Sequence, residues 1–139
     1  MAEETSIPAQ RTGRHTVVLL VGDWLALGLF VFLGEIDHQV LALPRLLWTT
    51  ALLALPWTVV ALALNAYWLS GAATLGVFLR RSLLAWLVAA PLALILRALV
   101  QGQATIVVTF MIVTMGLAGL FLLGWRAAYY TVQARRGPM

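Results

Sequence analysis

The chain has 139 residues, of which 63% are hydrophobic and only 10% are charged. A water-soluble domain of this size needs far more charge to cover its surface, so the composition indicates a protein surrounded by lipid. The formal net charge is +4, but the basic residues, all arginines, sit at the ends of apolar runs rather than in a patch, which argues against nucleic-acid binding. Cysteine is absent, which excludes disulfides, thiolate metal sites and a cysteine nucleophile.

Four apolar segments follow one another along the chain, at about 16–34, 46–69, 82–100 and 104–126. Each is close to the ~20 residues that a helix needs to cross ~30 Å of hydrocarbon. The links between them are short, so consecutive helices should be antiparallel neighbours. We therefore predict an all-α integral membrane four-helix bundle over 16–130, between a flexible tail at 1–15 and a basic tail at 131–139.

The limits of the first two helices need an interpretation. Arg11 and Arg14 precede the first segment, as in a signal peptide, but the segment is long, contains Asp23 and has no small-residue cleavage site after it. We interpret it as a retained helix. The second apolar run has no charge until Arg80, and we end its helix just before Ser70-Gly71.

The distribution of arginines predicts the orientation. One side of the membrane receives most of them: Arg11, Arg14, Arg80, Arg81, Arg126, Arg135 and Arg136. The other side receives Arg45 and Arg97. Because short cytoplasmic segments carry the excess of basic residues, both termini should be cytoplasmic, in the inner membrane of a prokaryotic cell. We expect Arg80, Arg81, Arg135 and Arg136 to contact anionic lipid headgroups.

Three polar residues fall at similar depth in three different segments. Asp23 should lie ~10 Å from the cytoplasmic end of its helix and Asn65 ~6 Å from that face. Arg126 ends the fourth segment on the same side, and its long side chain can extend along the helix. An unpaired acid inside a membrane is costly, so we predict that Asp23 faces the bundle interior and is held by Asn65 and Arg126.

Small residues recur on three segments at helical spacing. Ala85, Ala89 and Ala93 repeat every four residues in the third segment, and this face should let another helix approach closely. Similar small-residue pairs occur in the first segment, as Gly22 with Ala26, and in the fourth, as Thr114 with Ala118 beside Gly116 and Gly119.

A second polar group is predicted at the outer side, formed by Glu35, Asp37, His38 and Arg97. We expect Arg97 to extend toward the surface and pair with one of the acids; the alternative is that it lines an anion path. A single histidine beside two acids in a loop does not make a convincing metal site, and we predict neither a metal nor a cofactor. No nucleophile lies near a base, so catalysis is not predicted.

Several short motifs carry a family resemblance. They are "GDWLALGLFVFLG" with its early acid, "PLALILRAL" with Arg97, and "LLGWRA" with Gly124, Trp125 and Arg126. On these the chain resembles a family of small prokaryotic membrane proteins known as domain of unknown function 3054, from about residue 16 onward. The resemblance implies a four-helix membrane protein without an established activity, and it directs attention to Asp23, Arg97 and Arg126 as a set.

Two classes of function are compatible with the sequence. The first is a structural or accessory membrane subunit that packs against other membrane helices, or against itself, and is not an enzyme. The second is a small homo-oligomeric transporter that uses Asp23 as a proton- or substrate-coupling site. The absence of large loops and of a second buried acid within a span favours the first.

Overall fold

Four long helices make up nearly all of the described chain. The computed structural model describes residues 7–37, 39, 41–67, 74–102 and 108–136. The helices are α1 (Ile7–Asp37), α2 (Leu43–Ala63), α3 (Leu75–Val100) and α4 (Val108–Arg135). Each contains a stretch that is long and apolar enough to cross a membrane. The predicted all-α, four-helix membrane architecture is therefore confirmed.

The helices form a ring in which each one packs against two neighbours. α1 contacts α2 and α4, and α3 contacts the same two helices. A hydrogen bond of 2.7 Å joins His15 Nδ1, early in α1, to the hydroxyl of Tyr129, late in α4. The start of α1 and the end of α4 therefore share one end of the bundle, which we call the termini end. The opposite end, which contains Asp37 and Leu43, is the far end.

Three of the four helices are longer than the apolar segments that predicted them. α1 begins at Ile7 and α4 continues to Arg135, so part of each predicted tail is helical. α3 begins at Leu75, within the predicted link between the second and third helices. Hydropathy marks only the length that crosses hydrocarbon, whereas a helix continues as long as its backbone bonds are satisfied. At the start of α3, for example, the hydroxyl of Thr74 accepts a bond of 3.2 Å from the Val77 amide.

α2 differs in the other direction, because it ends at Ala63 instead of near residue 69. Asn65 has a positive φ of 56°. The backbone N–H of Asn65 donates to the Leu62 carbonyl at 3.3 Å, and the backbone N–H of Ala66 donates to the Ala61 carbonyl at 2.8 Å. This pair of bonds is the Schellman helix ending, in which asparagine tolerates the left-handed conformation. Ser70-Gly71, the predicted stop, lies outside the described residues.

The small residues in the bundle serve two different purposes. Ala85, Ala89 and Ala93 of α3 are all buried in the core of the bundle. Gly22 and Gly119 instead make room for tryptophan rings, Trp125 in the first case and Trp86 in the second. A side chain at Gly119 would begin 2.7 Å from the Trp86 ring nitrogen, which donates a 2.9 Å hydrogen bond to the Met115 carbonyl. The glycine thus allows the indole to reach the backbone of α4.

The remaining predicted packing positions behave differently. Ala26 is half-buried. Gly116 is exposed, and a Cβ built there would meet nothing within 4 Å among its surroundings. Gly116 is therefore not part of the packed interior of this bundle, and its role in packing against another helix stays a prediction. The reason is helical geometry: Gly119 and the buried Ala118 face the core, and Gly116 lies on the outward side of the same helix.

Gly119 and Gly116 offer a matched test within one helix. Gly119→Ala should lower the thermal stability in detergent, with a loss of about 1–3 kcal/mol, because a methyl group would displace a buried, hydrogen-bonded indole. Gly116→Ala meets open space and should be neutral or raise stability by up to about 1 kcal/mol through better helix propensity. Equal melting temperatures for the two variants would show that Trp86 does not occupy the notch at Gly119.

Candidate functional site: a buried ion pair

A carboxylate and a guanidinium meet in the interior of the bundle. Arg126 of α4 donates from Nε to Oδ1 of Asp23 at 3.0 Å and from Nη2 to Oδ2 at 2.6 Å. Both side chains are 0% exposed. Two parallel bonds between these planar groups form the strongest geometry that an arginine and a carboxylate can adopt.

The other two helices complete the site. Trp57 of α2 donates its indole N–H to Asp23 Oδ2 at 3.0 Å. Arg126 Nη1 donates to the hydroxyl of Ser82, on α3, at 3.0 Å and to the carbonyl of Ala66 at 2.7 Å. The Ser82 hydroxyl donates its own hydrogen bond to the Phe78 carbonyl at 3.0 Å, so its oxygen is free to accept from the arginine. Every helix of the ring therefore contributes to one connected network.

Aromatic rings enclose the guanidinium. Its carbon lies 4.8 Å from the ring centre of Tyr67, 4.9 Å from that of Trp57 and 5.5 Å from that of Phe78. These distances allow cation–π attraction, which is stronger where water is excluded. Burial raises the pKa of Tyr67, which follows the end of α2, so its ring is an uncharged wall. The cation is thus neutralised by one carboxylate and surrounded by π faces.

The geometry limits what Asp23 can do chemically. Both of its oxygens accept hydrogen bonds, and its partner is an arginine, which does not release its proton in proteins. Removing a charged group from water costs several kcal/mol, and an interior ion pair offsets this only when the remaining donors and acceptors are satisfied. Here they largely are. The arrangement is that of a closed structural junction.

The structure brings together Asp23 and Arg126 but not Asn65. The prediction that Asn65 holds Asp23 is wrong, because Asn65 is exposed and serves as the left-handed residue that ends α2. Its effect on the site is indirect. The helix ending that it forms turns the chain so that the next residue, Ala66, offers its carbonyl to Arg126.

Sequence reasoning missed Trp57, Ser82 and the aromatic walls. A signal existed for Ser82, since it is the one hydroxyl-bearing residue of its apolar segment and a buried hydroxyl needs a partner. Trp57 gave a weaker signal. Tryptophan also occurs at membrane interfaces and in cores without a specific acceptor, so its N–H does not point to a carboxylate.

A second polar group lies at the far end of the bundle. Glu35, Asp37, Arg45 and Arg97 line a cavity of about 310 Å³ between the four helices. Glu35 is faced by Arg45, whose Nε lies 3.9 Å from its Oε1, while Arg97 lies in the wall of the same cavity. Arg45 is the member that the sequence did not suggest. His38 lies outside the described residues, and within those residues no three metal-ligating side chains cluster.

Comparison with known protein families gives a match over most of the chain. A family model described as "Protein of unknown function (DUF3054)" matches residues 20–129. This range contains both members of the ion pair and the four charged residues that line the far-end cavity. No curated protein and no solved structure matches the chain.

The ion pair predicts that mutations of its two members have non-additive effects on the free energy of unfolding. Asp23→Asn and Arg126→Gln should each lower the free energy of unfolding in detergent by about 3–5 kcal/mol, because each leaves a charged or polar partner stranded in the interior. The double variant should lose clearly less than the sum of the two single losses. Arg135→Gln, at an exposed position near the end of α4, is the matched control and should change little. Additive losses at positions 23 and 126 would contradict a direct contact.

Proposed function

The chain belongs to the DUF3054 family, and we propose that it is a non-catalytic, accessory subunit of a membrane assembly, packing against other membrane helices. The observation that carries the proposal is the closed Asp23–Arg126 junction. Asp23 is the one acidic residue in the middle of a described helix, and both of its carboxylate oxygens are bound by side chains of the bundle.

The same junction weighs against the transporter alternative. A coupling carboxylate must exchange its proton or substrate during each cycle, so it needs access to water and a partner that can leave. Asp23 is 0% exposed and is bound by an arginine that stays protonated. Opening the pair would break contacts to all four helices together, which favours a rigid bundle over a moving one.

The outer surface of the bundle supports a role within the membrane. Apolar side chains point outward from every helix, among them Leu25, Val59, Leu84 and Leu120, with exposed fractions of 68%, 66%, 50% and 68%. Such a surface suits lipid tails or a neighbouring transmembrane helix equally well. The glycines that could have received a foreign helix, Gly22 and Gly119, are occupied by tryptophans of this chain. Partner contact would therefore use large aliphatic side chains together with Gly116, which stays open on the outward side of α4.

We place the protein in a prokaryotic cell membrane with both termini on the cytoplasmic side, on the strength of the arginine distribution. Arg80, Arg135 and Arg136 are exposed and Arg81 is half-buried, at the termini end, where they can meet anionic headgroups. Cysteine introduced at Gln39 should react with a membrane-impermeant thiol reagent in intact cells, whereas cysteine at Ala134 should react only after permeabilisation. The absence of native cysteine makes each signal specific. The reverse pattern would invert the proposed orientation.

The accessory role predicts a face-specific partner. A photo-cross-linking residue is introduced in living cells at Leu25, Val59, Leu84 or Leu120, one on each helix. Probes on one helix of this chain, or on two neighbouring ones, should yield a discrete adduct of constant mass, and probes on the other helices should yield none. The buried position Leu27, 0% exposed, is the control that should remain unreactive. Lack of an adduct at all four outward positions would mean that lipid surrounds the bundle.

Proton transport across reconstituted vesicles distinguishes the accessory role from the transporter alternative. An imposed pH gradient, followed with an internal dye, should persist when the purified protein is present, because Asp23 is held in its junction. A gradient that collapses with the native chain and survives with Asp23→Asn would overturn the accessory role. It would make Asp23 a transport residue despite its contacts.

A further inference from the structure

The far-end cavity is chemically unlike the closed junction near the termini end. It lies about 18 Å along α1 from Asp23, counting from Glu35. All four helices contribute to its wall, which combines charged groups with apolar side chains such as Phe30, Leu53 and Leu94. Its volume of about 310 Å³ is at the lower limit for small-molecule sites. Such a mixed wall can bind a molecule that has both charged and apolar parts.

Glu35 is the most buried charged group of this cavity, and it has no hydrogen-bond donor among the described residues. It is only 7% exposed, and neither of its carboxylate oxygens accepts a hydrogen bond from the part of the chain that the structure describes. Arg45 Nε, at 3.9 Å, is beyond hydrogen-bonding distance and belongs to a side chain that is 56% exposed. A buried carboxylate without donors is costly, so a donor entering the cavity would be bound favourably.

The charges of the wall are balanced in sign. Glu35 and Asp37 supply two negative charges, and Arg45 and Arg97 supply two positive ones. Guanidinium groups bind carboxylates and phosphates, whereas a buried carboxylate binds an ammonium group. A ligand with a single charge would upset this balance beside the buried Glu35, where water screens charge poorly. A ligand with one charge of each sign would match the wall without changing its net charge.

We propose that this cavity binds a zwitterion, with a primary ammonium group at Glu35 and a carboxylate or phosphate at Arg45 and Arg97. Its apolar part would contact the aliphatic and aromatic wall. Two sources share this chemistry: a free amino acid with an apolar side chain, and the ethanolamine phosphate headgroup of a membrane lipid. The site is independent of the accessory role, since neither requires the other.

The test uses the full chain in phosphatidylcholine nanodiscs and measures binding by calorimetry. The probes are L-leucine for the free amino acid and glycerophosphoethanolamine for the lipid headgroup. Glycerophosphocholine is the matched control, because its quaternary nitrogen has the same charge but no N–H to donate. Acetate and ethylammonium provide the two single charges. At least one of the two zwitterions should bind tenfold or more tightly than the control and than either single ion.

Variants assign the binding to the cavity. Glu35→Gln and Arg97→Gln should each weaken the preferred zwitterion by tenfold or more, while Arg80→Gln, exposed at the termini end, should leave affinity unchanged. Binding of leucine alone identifies a free amino acid, and binding of glycerophosphoethanolamine alone identifies a lipid headgroup. Three results would overturn the proposal: no binding of either zwitterion, equal binding of glycerophosphocholine, or unchanged affinity in Glu35→Gln. The ligand series needs only the native chain, so it decides the matter even where a variant fails to fold.

Discussion

The bundle depends on the contact between Asp23 and Arg126. These two residues are 103 positions apart in sequence and join the first helix to the last by two hydrogen bonds. In a membrane the hydrophobic effect does not draw helices together, since lipid tails are as apolar as leucine. A buried ion pair does so, because each charge is far more costly alone than beside its partner. The pair thus specifies which helices are neighbours and at what depth they align.

Other features of the fold are arranged around that contact. Trp57 and Ser82 supply the donor and the acceptor that the pair itself lacks, and they come from the two helices that the pair does not join. The early end of α2 at Asn65 turns the Ala66 carbonyl inward to the guanidinium. Gly22, one residue before the acid, leaves room for Trp125, one residue before the arginine. Neighbouring positions on both helices are thus shaped to let the two charges approach.

The two ends of the bundle show opposite solutions to buried charge. At Asp23 the carboxylate accepts three hydrogen bonds and its arginine partner is enclosed by rings, whereas at Glu35 the carboxylate is buried and without a hydrogen bond in the described chain. The first arrangement confers rigidity. The second leaves a carboxylate that the described residues do not complete, which is why we propose the ligand site at the far end.

The sequence was sufficient for the number of helices, their class and their order, because ~20-residue apolar segments leave few other options in lipid. Depth counting also proposed the acid and the arginine as neighbours. It erred at Asn65, where it treated every polar side chain in a span as a partner for charge and overlooked backbone conformation. It overlooked Trp57 and Ser82 because hydropathy assigns one value to a residue and does not say which way its N–H or O–H points.

The direct measurement is the distance between the two charged groups in lipid. In solid-state NMR of the chain carrying ¹³C-aspartate and ¹⁵N-arginine, the side-chain carbon of Asp23 should show strong dipolar dephasing from arginine nitrogens, as a nitrogen–oxygen contact of 2.6 Å requires. That dephasing should disappear in Arg126→Gln and persist in Arg135→Gln. An Asp23 carbon that shows no coupling to any arginine in the native chain would contradict the account.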